Sequence, residues 1–244
     1  MTAPVIEVDR LTIGWGDRVL MRDISFDIEA GDVFAILGGS GSGKSTLLRN
    51  MIGLETPMGG RVHIEGADRG ESAPPAFGVL FQSGALFGSM TVGENVALPL
   101  HHWTAFDDDS IETIVHHKLA LVGLGGYEHH LPSEISGGMK KRAGIARALA
   151  LDPPIIFLDE PSAGLDPVTS VELDHLIRTL ADALGATIVV VTHELASIFA
   201  IAKHCILLDR EAHGIIARGD PRELRDRSTD PRVTAFLNRR APEG

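Results

Sequence analysis

Cysteine is almost missing from this chain of 244 residues. Cys205 is the only one, so no internal disulfide can form, and the composition suits a reducing compartment. Cys205 lies in an apolar strand-like run and reads as a small buried hydrophobe. Positive charge is also scarce. The 22 lysines and arginines face 33 aspartates and glutamates, a formal charge of −11, which argues against DNA or RNA as a partner because such binders need basic surface to displace counterions. No unbroken apolar stretch approaches membrane-spanning length, and residues 1–9 have neither a basic segment nor an apolar core of a leader, so the expectation is a soluble chain kept inside the cell. Internal repeats are absent, and the one GxxxxGK(S/T) pattern means that each chain supplies a single phosphate loop.

What is present begins with core-forming material: 44% of the residues are apolar, enough for one large α/β domain carrying an insertion. Strand-like runs occupy 5–13, 19–28 and 33–37, a helix follows over 46–52, and further strands are expected at 61–65 and 77–81 around a Gly/Pro/acidic loop at 66–75. From 92 to about 150 the apolar period becomes helical, as at Ile111, Ile114, Val115, Leu119 and Val122, which predicts a helical insertion. Strand and helix alternate again through 155–158, 167–184, 187–191, 194–203 and 205–208, the pattern of a parallel sheet flanked by helices. Past Asp220 come a charged helix and a tail, 228–244, whose Val233, Phe236 and Leu237 recur at helical spacing and are expected to dock.

The chemistry is concentrated after the third strand. Gly38, Gly39, Ser40, Gly41, Ser42, Gly43, Lys44, Ser45 and Thr46 read GGSGSGKST between an apolar strand and a helix. Glycines let the backbone curl so that N–H groups face inward, and the helix adds the positive end of its dipole, a hollow suited to the phosphates of a nucleoside triphosphate. Lys44 would reach the β and γ phosphates, and the Ser45 hydroxyl would complete a Mg²⁺ shell. A flexible Gly/Ser turn needs neither Lys44 nor this spacing.

A second buried run, 155–158, ends in Asp159 and Glu160, where ligands collect at the carboxyl ends of parallel strands. Asp159 would hold Mg²⁺ directly or through water, and Glu160 would polarise the water attacking the γ phosphate. Ser136, Gly137 and Gly138 precede Met139, Lys140, Lys141 and Arg142, and three cations in a first helical turn oppose the helix dipole, which points to a second place receiving an anion.

Taken together these segments resemble the ATP-binding cassette (ABC) ATPases over nearly the whole chain, with the Walker A loop at 38–45, the signature at 136–138 and the Walker B strand at 155–160. The resemblance implies a P-loop NTPase α/β fold: a mostly parallel core sheet, an N-terminal antiparallel β subdomain, and a helical subdomain at about 92–150 inserted in a RecA-like core, all within 1–227. It makes Gln82 the Q-loop glutamine that senses Mg²⁺, Asp166 the D-loop aspartate, His193 the switch histidine and Trp15 the aromatic that stacks on adenine. Each also has an ordinary structural role open to it. Asp166 before Pro167 makes a helix cap, Thr192 with Glu194 can cap another helix, Trp15 can be a hairpin tip and Gln82 a surface amide. The family geometry pairs two cassettes head to tail, each ATP held between one chain's Walker A loop and the other's signature.

Met139 stands where the signature usually has glutamine, and Ile135 where it has leucine. The SGGMKKR form, the segment 83–100 after Gln82 and the tail DPRVTAFLN resemble the ATPases of bacterial Mla/Mce-type phospholipid transporters. That resemblance implies a homodimer on the cytoplasmic face of the inner membrane, permease subunits contacting 82–100, a periplasmic Mce-domain protein, a tail that docks on the neighbouring ATPase chain, and no nucleic acid. An importer of small polar solutes is the nearest alternative, and a soluble non-transport ABC ATPase a more distant one. The histidine pairs at 101/102, 116/117 and 129/130 are assigned to surface, since helical neighbours point about 100° apart and share one ion poorly.

Overall fold

Apolar residues in the first strand stand at 6 and 8, then at 11 and 13, a change of parity that a regular strand would turn into two misplaced side chains. The computed structural model, which describes residues 4–67 and 73–239, answers this with a bulge. In β1 (Ile6–Trp15) the pairing with β2 (Arg18–Ile28) shifts between Val8 and Leu11, and Arg10 adopts φ +45°. All four apolar side chains are thereby buried. Part of the 66–75 loop and the last residues of the tail lie outside the described residues.

The chain forms two compact units, residues 1–65 with 187–244, and residues 66–186. In the first, β1 lies between β2 and β4 (Gly59–Ile64) in an antiparallel sheet. A Cβ on Gly60 would stand 2.2 Å from the Arg10 carbonyl, so the bulge itself requires glycine there. β3 (Val33–Gly38), buried throughout, pairs in parallel with β7 (Thr187–Val191) and β8 (His204–Asp209), and β9 (Gly214–Gly219) runs antiparallel along β8. Sequence periodicity misses β9, because its half-buried residues between glycines show no alternation.

Helices α1 (Lys44–Met51), α6 (Leu195–Ile201), α7 (Pro221–Arg227) and α8 (Pro231–Leu237) complete this unit. Val233 and Leu237 of α8 enter the core with Leu37, Leu195, Ile198 and Cys205. Val233 and Leu237 lie four residues apart and so cover the same patch of their own unit.

The second unit holds the parallel pair β5 (Phe77–Leu80) and β6 (Ile155–Asp159) with helices α2 (Val92–Trp103), α3 (Asp108–Leu121), α4 (Gly137–Ala148) and α5 (Pro167–Leu184). The unit also includes strands β5 and β6 and helix α5. Helix α4 presses on β5: a Cβ at Gly78 would lie 2.0 Å from the Ala148 carbonyl, and one at Gly144 2.5 Å from Leu80 Cδ1. Among the described residues no helix is long and apolar enough to cross a membrane.

Candidate functional site

Parallel pairing of β3 with β7 and β8 brings the carboxyl ends of all three strands to one edge. The phosphate loop leaves β3 there and His193, exposed, follows β7. Gly38 has φ +155°, and a Cβ on it would meet Ser42 Oγ at 2.3 Å and the Leu208 carbonyl at 2.8 Å, so this glycine serves the fold. Gly39 and Gly41 differ, for a Cβ on either would find nothing within 4 Å. The space they leave open is what phosphate oxygens need.

Helix α1 has Gly43, at φ +90°, as its N-cap, with no side-chain cap, no acidic residue in the first turn and Lys44 as its first residue. A helix tuned for stability alone would carry the reverse charge, so an anion at this end would be favoured by the helix dipole. Lys44 is buried and its Nζ donates to the carbonyls of Gly38 at 2.8 Å and Gly39 at 3.1 Å, which holds the ammonium over the loop. Trp15, about half exposed, ends β1 opposite Arg18 at a hairpin tip, so the structural role expected for it holds, and its exposed face leaves the stacking role available.

The second unit carries the carboxylates. β6 is buried along its length and delivers Asp159 and Glu160, each 7% exposed, to its carboxyl end. Glu160 has φ +46°, a left-handed conformation uncommon for a non-glycine residue. Gln82, just past β5, is exposed.

Ser136 caps α4, its Oγ accepting from the Met139 N–H at 3.2 Å. A Cβ at Gly138 would strike Thr169 Cγ2 at 2.5 Å, whereas one at Gly137 would meet only Leu165 Cδ2 at 3.7 Å, so packing explains the second signature glycine and not the first. Asp166 is the N-cap of α5, accepting from the N–H groups of Val168 at 3.0 Å and Thr169 at 3.1 Å and from Thr169 Oγ1 at 2.5 Å. Those Thr169 bonds hold its carboxyl below the usual aspartate range.

A family model described as the ABC transporter family matches residues 21–163, a span holding the phosphate loop, Gln82, the signature glycines and both carboxylates. The chain belongs to the ABC transporter family. As the ATP-binding subunit of such a transporter it has relatives that align over nearly the whole of this chain. A probable ribonucleotide transport ATP-binding protein of Mycobacterium tuberculosis is 45% identical, aligned over 96% of this chain and 67% of its own length. The intermembrane phospholipid transport system ATP-binding protein of Escherichia coli is 39% identical, over 97% of this chain and 89% of its own.

Among solved structures, cbiO1 of Clostridium perfringens, part of an ABC transporter complex, matches with a TM-score of 0.81 at 28% identity, covering 97% of this chain and 96% of that one. A dimeric ATP-binding cassette in a post-hydrolysis state with ADP and phosphate gives 0.76 at 28% identity, over 88% and 98%.

Three features of the cassette escape sequence reasoning. Of the cations expected to face an anion at the start of α4, two are committed inside the chain. Lys141, 5% exposed, donates to the carbonyls of Gln82 and of Glu160, the latter at 3.1 Å, while Arg142 donates to the Val122 carbonyl at 3.2 Å and to Glu172 Oε2 at 3.1 Å. Burial pulls the Lys141 ammonium below the ordinary lysine range, against the opposing pull of Asp159 and Glu160.

Arg147, one and a half turns along α4, donates to the carbonyls of Ala85 at 2.8 Å and Gly84 at 3.2 Å. Asn95, fully buried, bonds both the N–H of Phe87 at 2.8 Å and its carbonyl at 3.1 Å. Nothing in a KKR run or a lone asparagine signals such contacts. Beside this stapled loop lies a cleft of about 620 Å³ lined by Phe77, Ala85, Phe87, Leu98, Pro99 and Trp103, with Phe87 52% and Leu98 38% exposed. The histidine pairs lie elsewhere: His101 and His102 are exposed on α2, and His116 pairs with Glu128 at 3.0 Å.

Proposed function

We propose that this cassette hydrolyses ATP to power phospholipid movement between the inner and outer membranes, as part of a Mla/Mce-type transporter. The observation that carries the nucleotide reading is the loop at 38–45, where a Cβ on Gly39 or Gly41 would find nothing within 4 Å and the buried Lys44 is held over the loop by the Gly38 and Gly39 carbonyls. Lys44 would hold the β and γ phosphates, the loop N–H groups their oxygens, and Trp15 the adenine. Ser45, Asp159 and Gln82 each carry a hard oxygen donor of the kind Mg²⁺ takes and would hold the ion, which would neutralise charge on the phosphates. Glu160 polarises the attacking water, a contribution of roughly a hundred- to ten-thousand-fold in rate. His193 contacts the γ phosphate.

These residues are divided between the two units, with Trp15, the phosphate loop and His193 on one and Gln82, Asp159, Glu160 and the signature on the other. The signature comes from a second copy: a Cβ on Gly137 would meet only Leu165 Cδ2, at 3.7 Å, so packing in its own chain does not require glycine, which suits close approach by a partner's nucleotide, and Asp166 would line the same junction. Dimeric cassettes among the solved relatives support the pairing. The cleft along 82–100 seats the permease, a periplasmic Mce-domain protein completes the assembly, and the chain works at the cytoplasmic face.

Phospholipid is favoured as cargo because the relatives that match this chain over about nine-tenths of both lengths are named for it in Escherichia coli and Haemophilus influenzae. The more identical mycobacterial relative supports a second reading, a polar ribonucleotide-like cargo. Purification of the native membrane complex and mass spectrometry of what it retains separates them. Glycerophospholipid at stoichiometric amount is the expected result. A complex that retains no lipid, and whose ATPase rate responds to nucleosides or nucleotides other than ATP, selects the second.

A further inference from the structure

A lysine ammonium that is almost wholly buried is costly unless it is paired, and Lys141 finds its partners on two separate segments of its unit. Its Nζ donates at once to the backbone carbonyl of Gln82 and to that of Glu160. The Glu160 carbonyl also accepts from the Ala163 N–H at 3.1 Å, so two donors fix its direction. That residue adopts a left-handed conformation, at φ +46°, and strained backbone of this kind persists only where surrounding contacts determine it. Because φ and ψ at Glu160 set where its Cβ points, whatever orients its carbonyl also aims its carboxylate.

The same helix repeats the device on the loop after Gln82. There Ala85 has φ +48°, and Arg147 holds the Ala85 and Gly84 carbonyls. Helix α4 thus carries two inward cations that pin the Q-loop, one of which pins Glu160 as well.

The geometry points to Lys141 as a positioning residue for hydrolysis, a cationic tie that aims Glu160 and makes the signature helix, the Gln82 loop and the hydrolytic carboxylate move as one body. It rests on the proposed role of Glu160 as the residue that polarises water. A displacement of about 1 Å at a reacting group costs on the order of a hundredfold in rate, whereas the phosphate loop that takes most of the nucleotide makes no hydrogen bond to Lys141, so affinity is expected to change far less than kcat.

The test uses the full-length chain and measures ATP turnover, MgATP affinity and thermal midpoint for Lys141→Met, Lys141→Gln and Lys141→Arg, with Glu160→Gln as the control. The expected result is a kcat for Lys141→Met reduced roughly ten- to a hundredfold at a KM within about threefold of the parent, with Lys141→Arg restoring most of kcat. Should Lys141→Met not fold, Lys141→Gln, which keeps an N–H donor and loses the charge, carries the test with the same split between kcat and KM. If Glu160→Gln is inactive while the folded Lys141 variants turn over within twofold of the parent, the positioning role is overturned and Glu160 stands. Loss of kcat that tracks loss of affinity and thermal midpoint, without rescue by arginine, reduces Lys141 to a packing brace and overturns it too. Near-normal turnover by Glu160→Gln removes the base itself, and both readings with it.

Discussion

Single residues in this chain pull against their local preferences where the chemistry is proposed, and the discrepancies are informative. Glu160 bears a left-handed backbone worth on the order of 1–3 kcal/mol of strain, Lys141 a buried charge, and α1 an uncapped cationic start. Cys205 is the opposite case, a residue with every preference met. Burial, with a lesser contribution from Asp220, pushes its thiol from an ordinary value of 9.0 up to about 12. At pH 8 its thiolate fraction is then about a thousandfold below that of a free thiol, so labelling by iodoacetamide in the native protein should be slower by a similar factor and recover in guanidinium. Rapid native labelling would show that β8 opens readily.

Among the elements, helices α2 and α4 do more than fill space. The α2 start is closed by a capping box, Thr91 Oγ1 accepting from Glu94 N–H at 3.1 Å and Glu94 Oε2 accepting from Thr91 N–H at 2.6 Å, and Asn95 then fixes the loop that displays Phe87. A large aromatic held half exposed by a rigid loop, beside a cleft lined by Leu98, Pro99 and Trp103, is suited to receive a short helix of a membrane partner. Phe87→Asp should therefore abolish co-purification with the permease and uncouple transport while nucleotide affinity stays within about twofold. A variant that still assembles and transports would place the permease contact elsewhere.

At the scale of the whole molecule, one chain holds one phosphate loop and one signature, and the two lie on different units. If the signature of each site comes from a second copy, specific ATPase activity should rise with protein concentration until pairing is complete and vanish on dilution, as a sedimentation series run beside the assay would record. Turnover independent of concentration in monomeric material would refute the shared site. The net charge of −11 has no role in that pairing that the described contacts reveal.

The chain's order of motifs was sufficient for the fold class and the phosphate loop, because glycine spacing, a cation and flanking strand and helix periods are local properties that survive without tertiary context. Asp159 and Glu160 were legible for the same reason, lying at the end of a run too apolar to be anything but a buried strand. Tertiary structure alone decided which charges are working and which are braces. Lys140, Lys141 and Arg142 look alike in sequence, yet Lys141 turns inward to two carbonyls and Arg142 spans to Glu172, because the partners come from segments tens of residues away. It likewise decided that Gly138 yields to Thr169 while Gly137 does not need to, and that the tail's Val233 and Leu237 belong to their own core. Side-chain identity sets what a residue can bind, and only the packed chain sets what is within reach.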